Sequence, residues 1–169
     1  MSAEVPTELD AWRMVAARRE FGGRLPLASM DRLRGSLVDS EGEVSFSIAF
    51  DHDALQVPYA ELRIAAALPL ECQRSLQRFL FPVELVQRLG LIRDEADEAA
   101  LPEGYEPLLV PADGMVYPAA LVEDELILAV PTVPVAPGSE AVERDYRPSA
   151  EERDAANPFA ALAGLRRGR

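Results

Sequence analysis

Three segments in the middle of the chain alternate apolar and polar side chains with the two-residue period of a half-buried strand: residues 43–51, 59–70 and 77–89. Residues 71–75, between the second and third of these segments, are predicted to form the tip of a hairpin. A further strand at residues 32–38 is predicted to pair with the first segment. Sequential alternating strands joined by short turns indicate an antiparallel meander with one buried face.

Helical patterns flank these predicted strands. Residues 10–20 predict a short helix that Asp10 caps and that ends at Gly22 and Gly23. Residues 117–130 predict a helix packed on the sheet, although the apolar run at residues 126–130 would also suit a strand. The fold class predicted for residues 1–131 is therefore α+β, an antiparallel β-meander sheet packed with a few helices in a single domain.

Two weaker patterns lie between the last strand and the last helix. Residues 94–104 are acidic and predict a loop or a short helix, and residues 106–111 predict an edge strand. Pro107 and Pro111 are expected to keep that strand short, because proline cannot donate a backbone hydrogen bond to a ladder.

The C-terminal part of the chain has a different composition. Residues 132–156 are rich in proline, charge and small side chains, which predicts a flexible acidic and proline-rich linker. Residues 157–169 predict a short amphipathic C-terminal helix with one apolar face, formed by Phe159, Leu162 and Leu165. A helix this short is marginal alone in water, so it needs a surface to bind, either on its own domain or on a partner.

The charge of the chain is strongly uneven. The net charge is -12, and residues 94–143 contain 12 acidic residues and no basic one. Phosphate neutralisation supplies most non-specific affinity for nucleic acids, so this acidic chain is a poor general nucleic-acid binder. The composition instead favours basic partners, of which ribosomal proteins are the obvious class.

The residues available for catalysis or metal binding are few. Cys72 is the only cysteine and His52 the only histidine, which excludes an internal disulfide and offers too few ligands for a structural zinc site. The consecutive residues Glu123, Asp124 and Glu125 point about 100° apart on a helix, so they predict a solvated acidic face and not a metal site. We therefore expect no enzymatic activity, no metal and no cofactor.

Membrane and secretion signals are also missing from the sequence. No apolar run approaches the length of a membrane helix, and the first ten residues lack the hydrophobic core of a signal peptide. The expected location is the cytoplasm.

Four motifs, in order along nearly the whole chain, resemble the YceD family of large ribosomal RNA accumulation proteins: DAWRMVAARREFGG, LPLECQRSLQRFLF, LPEGYEPLLV with LVEDELILAVPTVPV, and NPFAALAGLR. The resemblance implies a non-enzymatic role in the synthesis, processing or stability of 23S ribosomal RNA. One feature departs from the family pattern. Many members carry Cys-x-x-Cys at the hairpin tip, whereas here Cys72 is followed by Ser75, so no zinc role is carried over.

Two kinds of contact with a large-subunit precursor are open. RNA contact would use arginines, and the candidates are Arg13, Arg18, Arg19, Arg74, Arg78, Arg166 and Arg167. Protein contact would use acidic and apolar groups, and the candidates are Glu123, Asp124, Glu125, Phe159, Leu162 and Leu165. The sequence slightly favours contact with a ribosomal protein. The alternative function is an acidic holding chaperone that keeps a basic ribosomal protein soluble without touching RNA.

Overall fold

The structure is a computed structural model that describes residues 6–139. The predicted C-terminal helix at residues 157–169, with Phe159, Leu162, Leu165, Arg166 and Arg167, lies outside the described residues. Most of the predicted linker at residues 132–156 lies outside them as well. The division of the chain into these three segments therefore stays a prediction.

A five-stranded sheet organises the described residues, and its strands lie side by side in chain order. The strands are β2 (Glu20–Pro26), β3 (Glu43–His52), β4 (Pro58–Glu71), β5 (Arg78–Ile92) and β6 (Glu106–Leu109). The first four strands are antiparallel, whereas β6 runs parallel to β5. The α+β class is confirmed, but the sheet is mixed because β6 joins it only after a crossover.

One face of the sheet forms the core. Val44, Phe46, Ile48 and Phe50 of β3 are buried, as the alternation predicted. Neighbouring strands continue the same face, so that Phe46 lies opposite Ile64. The other face, here called the open face, carries mainly small or polar side chains, together with the exposed apolar side chains of Leu80 and Val86 on β5.

The β4–β5 hairpin extends beyond the rest of the sheet. β3 pairs with β4 only as far as Ala65, whereas β4 and β5 pair with each other up to Glu71 and Arg78. The predicted tip at residues 71–75 is confirmed. A separate two-stranded ladder joins β1 (Leu9–Asp10) to β7 (Met115–Val116).

The first predicted helix is shorter than expected. Helix α1 (Ala11–Ala16) begins after Asp10, whose carboxylate accepts a hydrogen bond from the backbone N–H of Arg13 at 3.0 Å. The chain then turns at Arg18, which has a φ of +47°, and continues as β2. Residues 20–26 alternate in burial, but two glycines on that strand conceal the pattern in the sequence.

The strand predicted at residues 32–38 is wrong. Leu33–Ser36 forms a 3₁₀-helix, and a second one spans Leu27–Ser29. The strand that pairs with β3 on this side is β2, so residues 32–38 do not join the sheet. The 3₁₀-helix at Leu33–Ser36 instead packs against the core with Leu33 fully buried.

Two helical elements follow β5 along the chain. Helix α2 (Pro118–Ala129) confirms the helix predicted at residues 117–130 and buries Val122 and Leu126. Within residues 6–139, no helix has both the length and the apolar character that crossing a membrane requires. The acidic segment forms a 3₁₀-helix, Glu95–Ala100, which begins with a capping box between Asp94 and Asp97.

Candidate functional site

The N-terminal arginines lie around the turn between α1 and β2. Arg18 Nε forms an ion pair with Asp51 Oδ1 at 3.1 Å, and the guanidinium of Arg19 lies 5.8 Å from the ring centre of Phe21. Arg13 and Arg19 form no ion pair within residues 6–139. This end of the molecule therefore keeps some positive charge that internal carboxylates do not neutralise.

Arg93, which the sequence did not single out, joins the same end of the molecule. Its guanidinium lies 4.1 Å from the ring centre of Trp12 on α1, at one side of a shallow cleft of about 350 Å³. A cation over an aromatic face is attracted by the ring quadrupole. The two residues lie about eighty positions apart in the sequence, so no local pattern could have found this contact.

The hairpin arginines are at the opposite end of the sheet. Arg78 Nε contacts Asp39 Oδ2 at 2.6 Å, and Arg78 Nη2 lies 3.6 Å from Glu41 Oε2. The hydrogen bond to Asp39 raises the pKa of Arg78, and the same bond lowers the pKa of Asp39. The charge of Arg78 is thus compensated, whereas Arg74 is exposed and forms no ion pair within residues 6–139.

The two arginine groups do not form one surface. The backbone N–H of Phe50 donates to the carbonyl of Arg19, which places the first group beside Ala60 at the start of β4. Arg74 follows the end of that strand, roughly 35 Å further along at the rise of an extended chain. Residues 6–139 therefore do not present a single RNA-binding patch that includes both arginine groups.

The hairpin tip is closed by residues that follow α2. The thiol of Cys72 accepts hydrogen bonds from the backbone N–H groups of Ala136, at 3.3 Å, and Ser75, at 3.5 Å. The neighbouring hydroxyl of Ser139, and then that of Ser75, lowers the pKa of the thiol to about 6. Cys72 is fully buried. No group of three or more metal-ligating side chains occurs in the described part of the chain.

Glu123 is the strongest departure from the predicted acidic face. Its side chain is 12% exposed, and Oε1 accepts hydrogen bonds from the backbone N–H groups of Arg32 at 2.7 Å and Leu33 at 3.1 Å. Oε2 accepts from Arg32 Nε at 3.0 Å, and Asp124 forms an ion pair with the same guanidinium. The prediction of a solvated face is wrong for Glu123, because its carboxylate anchors the 3₁₀-helix at Leu33–Ser36.

The electrostatics of Glu123 reflect this environment. Burial alone would raise its pKa, but hydrogen bonds from the backbone N–H groups of Leu33 and Arg32 and from the Arg32 guanidinium hold the pKa below its ordinary value. Glu125 shows the opposite shift. Partial burial raises the pKa of Glu125, and the nearby carboxylates of Glu106 and Asp124 add to the effect.

The remaining carboxylates of residues 94–125 are not neutralised. We call this set the acidic surface: Asp94, Glu95, Asp97, Glu98, Glu103, Glu106, Asp113 and Glu125. None of them forms an ion pair with another described residue, and all but Glu125 are exposed. These eight carboxylates carry negative charge that no described arginine neutralises.

Comparison with known proteins gives the family. Residues 60–166 match the sequence model of the family described as "Large ribosomal RNA subunit accumulation protein YceD", which is more than half of the chain. The chain belongs to the YceD family. It is also 28% identical over 170 residues to the large ribosomal RNA subunit accumulation protein YceD of Haemophilus influenzae, covering 96% of this chain and 97% of that protein. No solved structure matches the chain.

The YceD match divides the candidate residues into two groups. The matched region includes the hairpin tip, the acidic surface, α2 and residues 157–166 of the predicted tail helix. The N-terminal arginines and strands β2 and β3 precede it, although the similarity to the H. influenzae protein extends over nearly the whole chain. The resemblance to the YceD family that the four motifs indicate is therefore confirmed.

Proposed function

We propose that this YceD-family chain is a non-enzymatic factor in the biogenesis of the large ribosomal subunit. It acts in the cytoplasm and supports the synthesis, processing or stability of 23S ribosomal RNA. It does so by binding a precursor of the large subunit, chiefly through a basic ribosomal protein and secondarily through RNA. The names of the family and of its H. influenzae relative, which refer to large ribosomal RNA subunit accumulation, support this role.

The acidic surface is the observation that carries the choice of partner. Its carboxylates have no arginine partners in residues 6–139, and the pKa of Glu125 is raised by partial burial and then by the carboxylates of Glu106 and Asp124. Uncompensated charge of one sign attracts a partner of the opposite sign and repels the phosphate backbone of RNA. A basic protein relieves this repulsion, whereas RNA increases it.

Affinity purification of the tagged full-length chain, with and without RNase, tests the proposal. We expect large-subunit ribosomal proteins to stay bound after RNase. The double variant Glu95→Gln and Glu98→Gln removes two charges of the acidic surface and leaves the capping box of Asp94 and Asp97 intact. It should reduce the ribosomal protein recovered after RNase by about three-fold or more, since each lost charge weakens complementarity.

A matched control removes two charges elsewhere. Glu71 and Glu84 are exposed on the hairpin and form no ion pair within residues 6–139, so the variant Glu71→Gln with Glu84→Gln carries the same net charge. Recovery should be unchanged in this control. If both double variants lose binding equally, net charge and not the acidic surface is responsible, and the proposed interface is wrong.

The predicted tail helix is proposed as a second contact with the same partner. Changing Phe159 and Leu162 to alanine should abolish support of 23S ribosomal RNA accumulation in a strain that depends on this chain, because both side chains lie on the predicted apolar face. The melting temperature should stay the same. A large fall in melting temperature would instead mean that these side chains pack on the chain's own domain.

RNase treatment also separates the alternatives. Direct RNA binding as the main contact predicts that every ribosomal component leaves with the RNA, and the arginines near α1, with Arg93 and Trp12, would then be the first residues to change. The holding-chaperone alternative predicts one free ribosomal protein in the complex and no RNA even without RNase.

A further inference from the structure

The free edge of β2 carries unpaired backbone groups. The backbone N–H of Phe50 donates to the carbonyl of Arg19, and that of Leu27 donates to the carbonyl of Gly42, so odd-numbered residues of this segment face β3. Glu20, Gly22 and Arg24 therefore direct their N–H and C=O groups away from the sheet. No other strand among residues 6–139 pairs with this edge. An open edge of this kind is a template for another strand.

The opposite edge of the sheet is blunted. The backbone N–H of Val110 donates to the carbonyl of Ile92, so even-numbered residues of the β6 segment face β5 and the odd-numbered ones face outward. Pro107 occupies an outward position and has no N–H to donate. The described sheet thus has one edge suited to pairing, which favours a closed pair of molecules over an open chain of them.

The outward residues of β2 are complementary to themselves. When two copies of the strand run antiparallel with Gly22 opposite Gly22 of the second copy, Glu20 of each copy lies opposite Arg24 of the other. All these facing residues direct their backbone groups across the interface, so each facing pair exchanges two N–H···O bonds. Opposite charges directly across an antiparallel ladder are stabilising.

We propose that β2 is a homodimerisation edge, which pairs with β2 of a second copy of this chain around a two-fold axis at Gly22. The sheet of each protomer then continues into that of its partner. The proposal is independent of the function proposed above, because it concerns contact between copies and not contact with ribosomal components.

The side chains on both faces of the strand are compatible with this register. Glu20 forms no ion pair within residues 6–139, and Arg24, with 73% of its side chain exposed, has its nearest carboxylate oxygen at Glu43, 3.9 Å away. Gly22 puts no side chain at the axis. On the other face Phe21 lies opposite Gly23 of the second copy, an arrangement in which an aromatic ring covers an edge glycine.

The net charge of each chain opposes self-association and sets the conditions of the test. Two copies with a charge of -12 each repel over long range, but physiological salt screens charges more than about 8 Å apart. The contacts between Glu20 and Arg24 are much shorter than that. Sedimentation equilibrium of the full chain should therefore be run at physiological ionic strength over the micromolar range.

Charge reversal and its compensation give the decisive comparison. The wild-type chain should approach twice its mass of 18.5 kDa as concentration rises. Glu20→Arg places like charges at both symmetry-related contacts and should raise the dimer Kd about ten-fold or more. The double variant Glu20→Arg with Arg24→Glu restores both pairs and should return the Kd to near the wild-type value.

The controls make either outcome informative. Glu84→Arg changes the same charge on the open face, away from the β2 edge, and should leave the Kd unchanged, and circular dichroism verifies that each variant is folded. A chain that stays monomeric, or a double variant that dissociates as readily as Glu20→Arg, overturns the proposal. Hydrogen exchange of a monomeric chain would then show why. Slow exchange of the amides of Glu20, Gly22 and Arg24 would mean that the chain's own remaining residues cover this edge.

Discussion

Replacing Glu123 by alanine is expected to lower the free energy of unfolding by about 2–4 kcal/mol. The change removes the acceptor for the backbone N–H groups of Arg32 and Leu33, and it leaves the guanidinium of Arg32 with Asp124 and the carbonyl of Ala120. An N–H group left buried without an acceptor loses its hydration and gains nothing in return. Urea denaturation at neutral pH measures the loss, and Glu84→Gln, which alters an exposed side chain, should leave the midpoint unchanged.

Glu123→Gln separates charge from shape. The amide keeps one oxygen acceptor for the backbone N–H groups but loses the charge and the acceptor for the Arg32 guanidinium. At neutral pH the loss should be smaller than for alanine, about 1–2 kcal/mol. Because the folded pKa of Glu123 lies below its unfolded value of about 4.5, its charge contributes fully above that value and the contribution is lost as pH falls through the folded pKa. The gap between the wild type and Glu123→Gln should therefore close in acid. A gap that is constant from neutral to acidic pH would show that charge is not involved.

Gly90→Val is the second substitution with a large expected effect. A Cβ atom at Gly90 would lie 2.6 Å from Cδ2 and 3.0 Å from Cδ1 of Leu101, which crosses β5 at this point. We expect the free energy of unfolding to fall by about 2–3 kcal/mol for valine and by less for alanine. The end of the Leu101 side chain can move away from a single methyl group, but the branched valine side chain occupies the space into which it would move. The thermal melting temperature measures both.

A matched glycine and a compensating change test the cause. Gly35→Ala adds a methyl group with no atom within 4 Å, so its effect should stay within about 0.5 kcal/mol. Combining Gly90→Ala with Leu101→Ala should cost less than the sum of the two single changes, since the clash disappears. Additive losses would place the strain at Gly90 somewhere other than Leu101.

The sequence predicted the fold wherever a local pattern was sufficient. The alternation of β3, β4 and β5 identified the centre of the sheet, and the apolar positions around Val122 and Leu126 identified α2. The sequence did not predict β2, because Gly22 and Gly23 interrupt the alternation. It also predicted a strand paired with β3 where the chain forms the 3₁₀-helix Leu33–Ser36, although that position beside β3 belongs to β2. Strand pairing is decided by which segment covers the core best, and no local pattern records that competition.

The candidate sites divide in the same way. The sequence could predict the acidic surface, because residues 94–143 form one continuous segment that contains no basic residue. The anchoring of Glu123 depends on Arg32, which is 91 positions away, so the carboxylate was assigned to a solvated face. Likewise Arg78 could not be recognised as paired, because Asp39 lies on a loop that only the folded hairpin brings beside it.

Under the proposed pairing through β2, the order of the strands gives the acidic surface a second use. β2 and β6 are the two edges of the sheet, four strand spacings or about 19 Å apart, so a copy that pairs through β2 leaves Glu106 and its neighbours uncovered. A two-fold pair would then carry two identical acidic surfaces at opposite ends of one continuous sheet. A precursor that offers two basic sites would be held bivalently. Its second contact would form at the high effective concentration that the first contact creates, without any increase in the affinity of either surface alone.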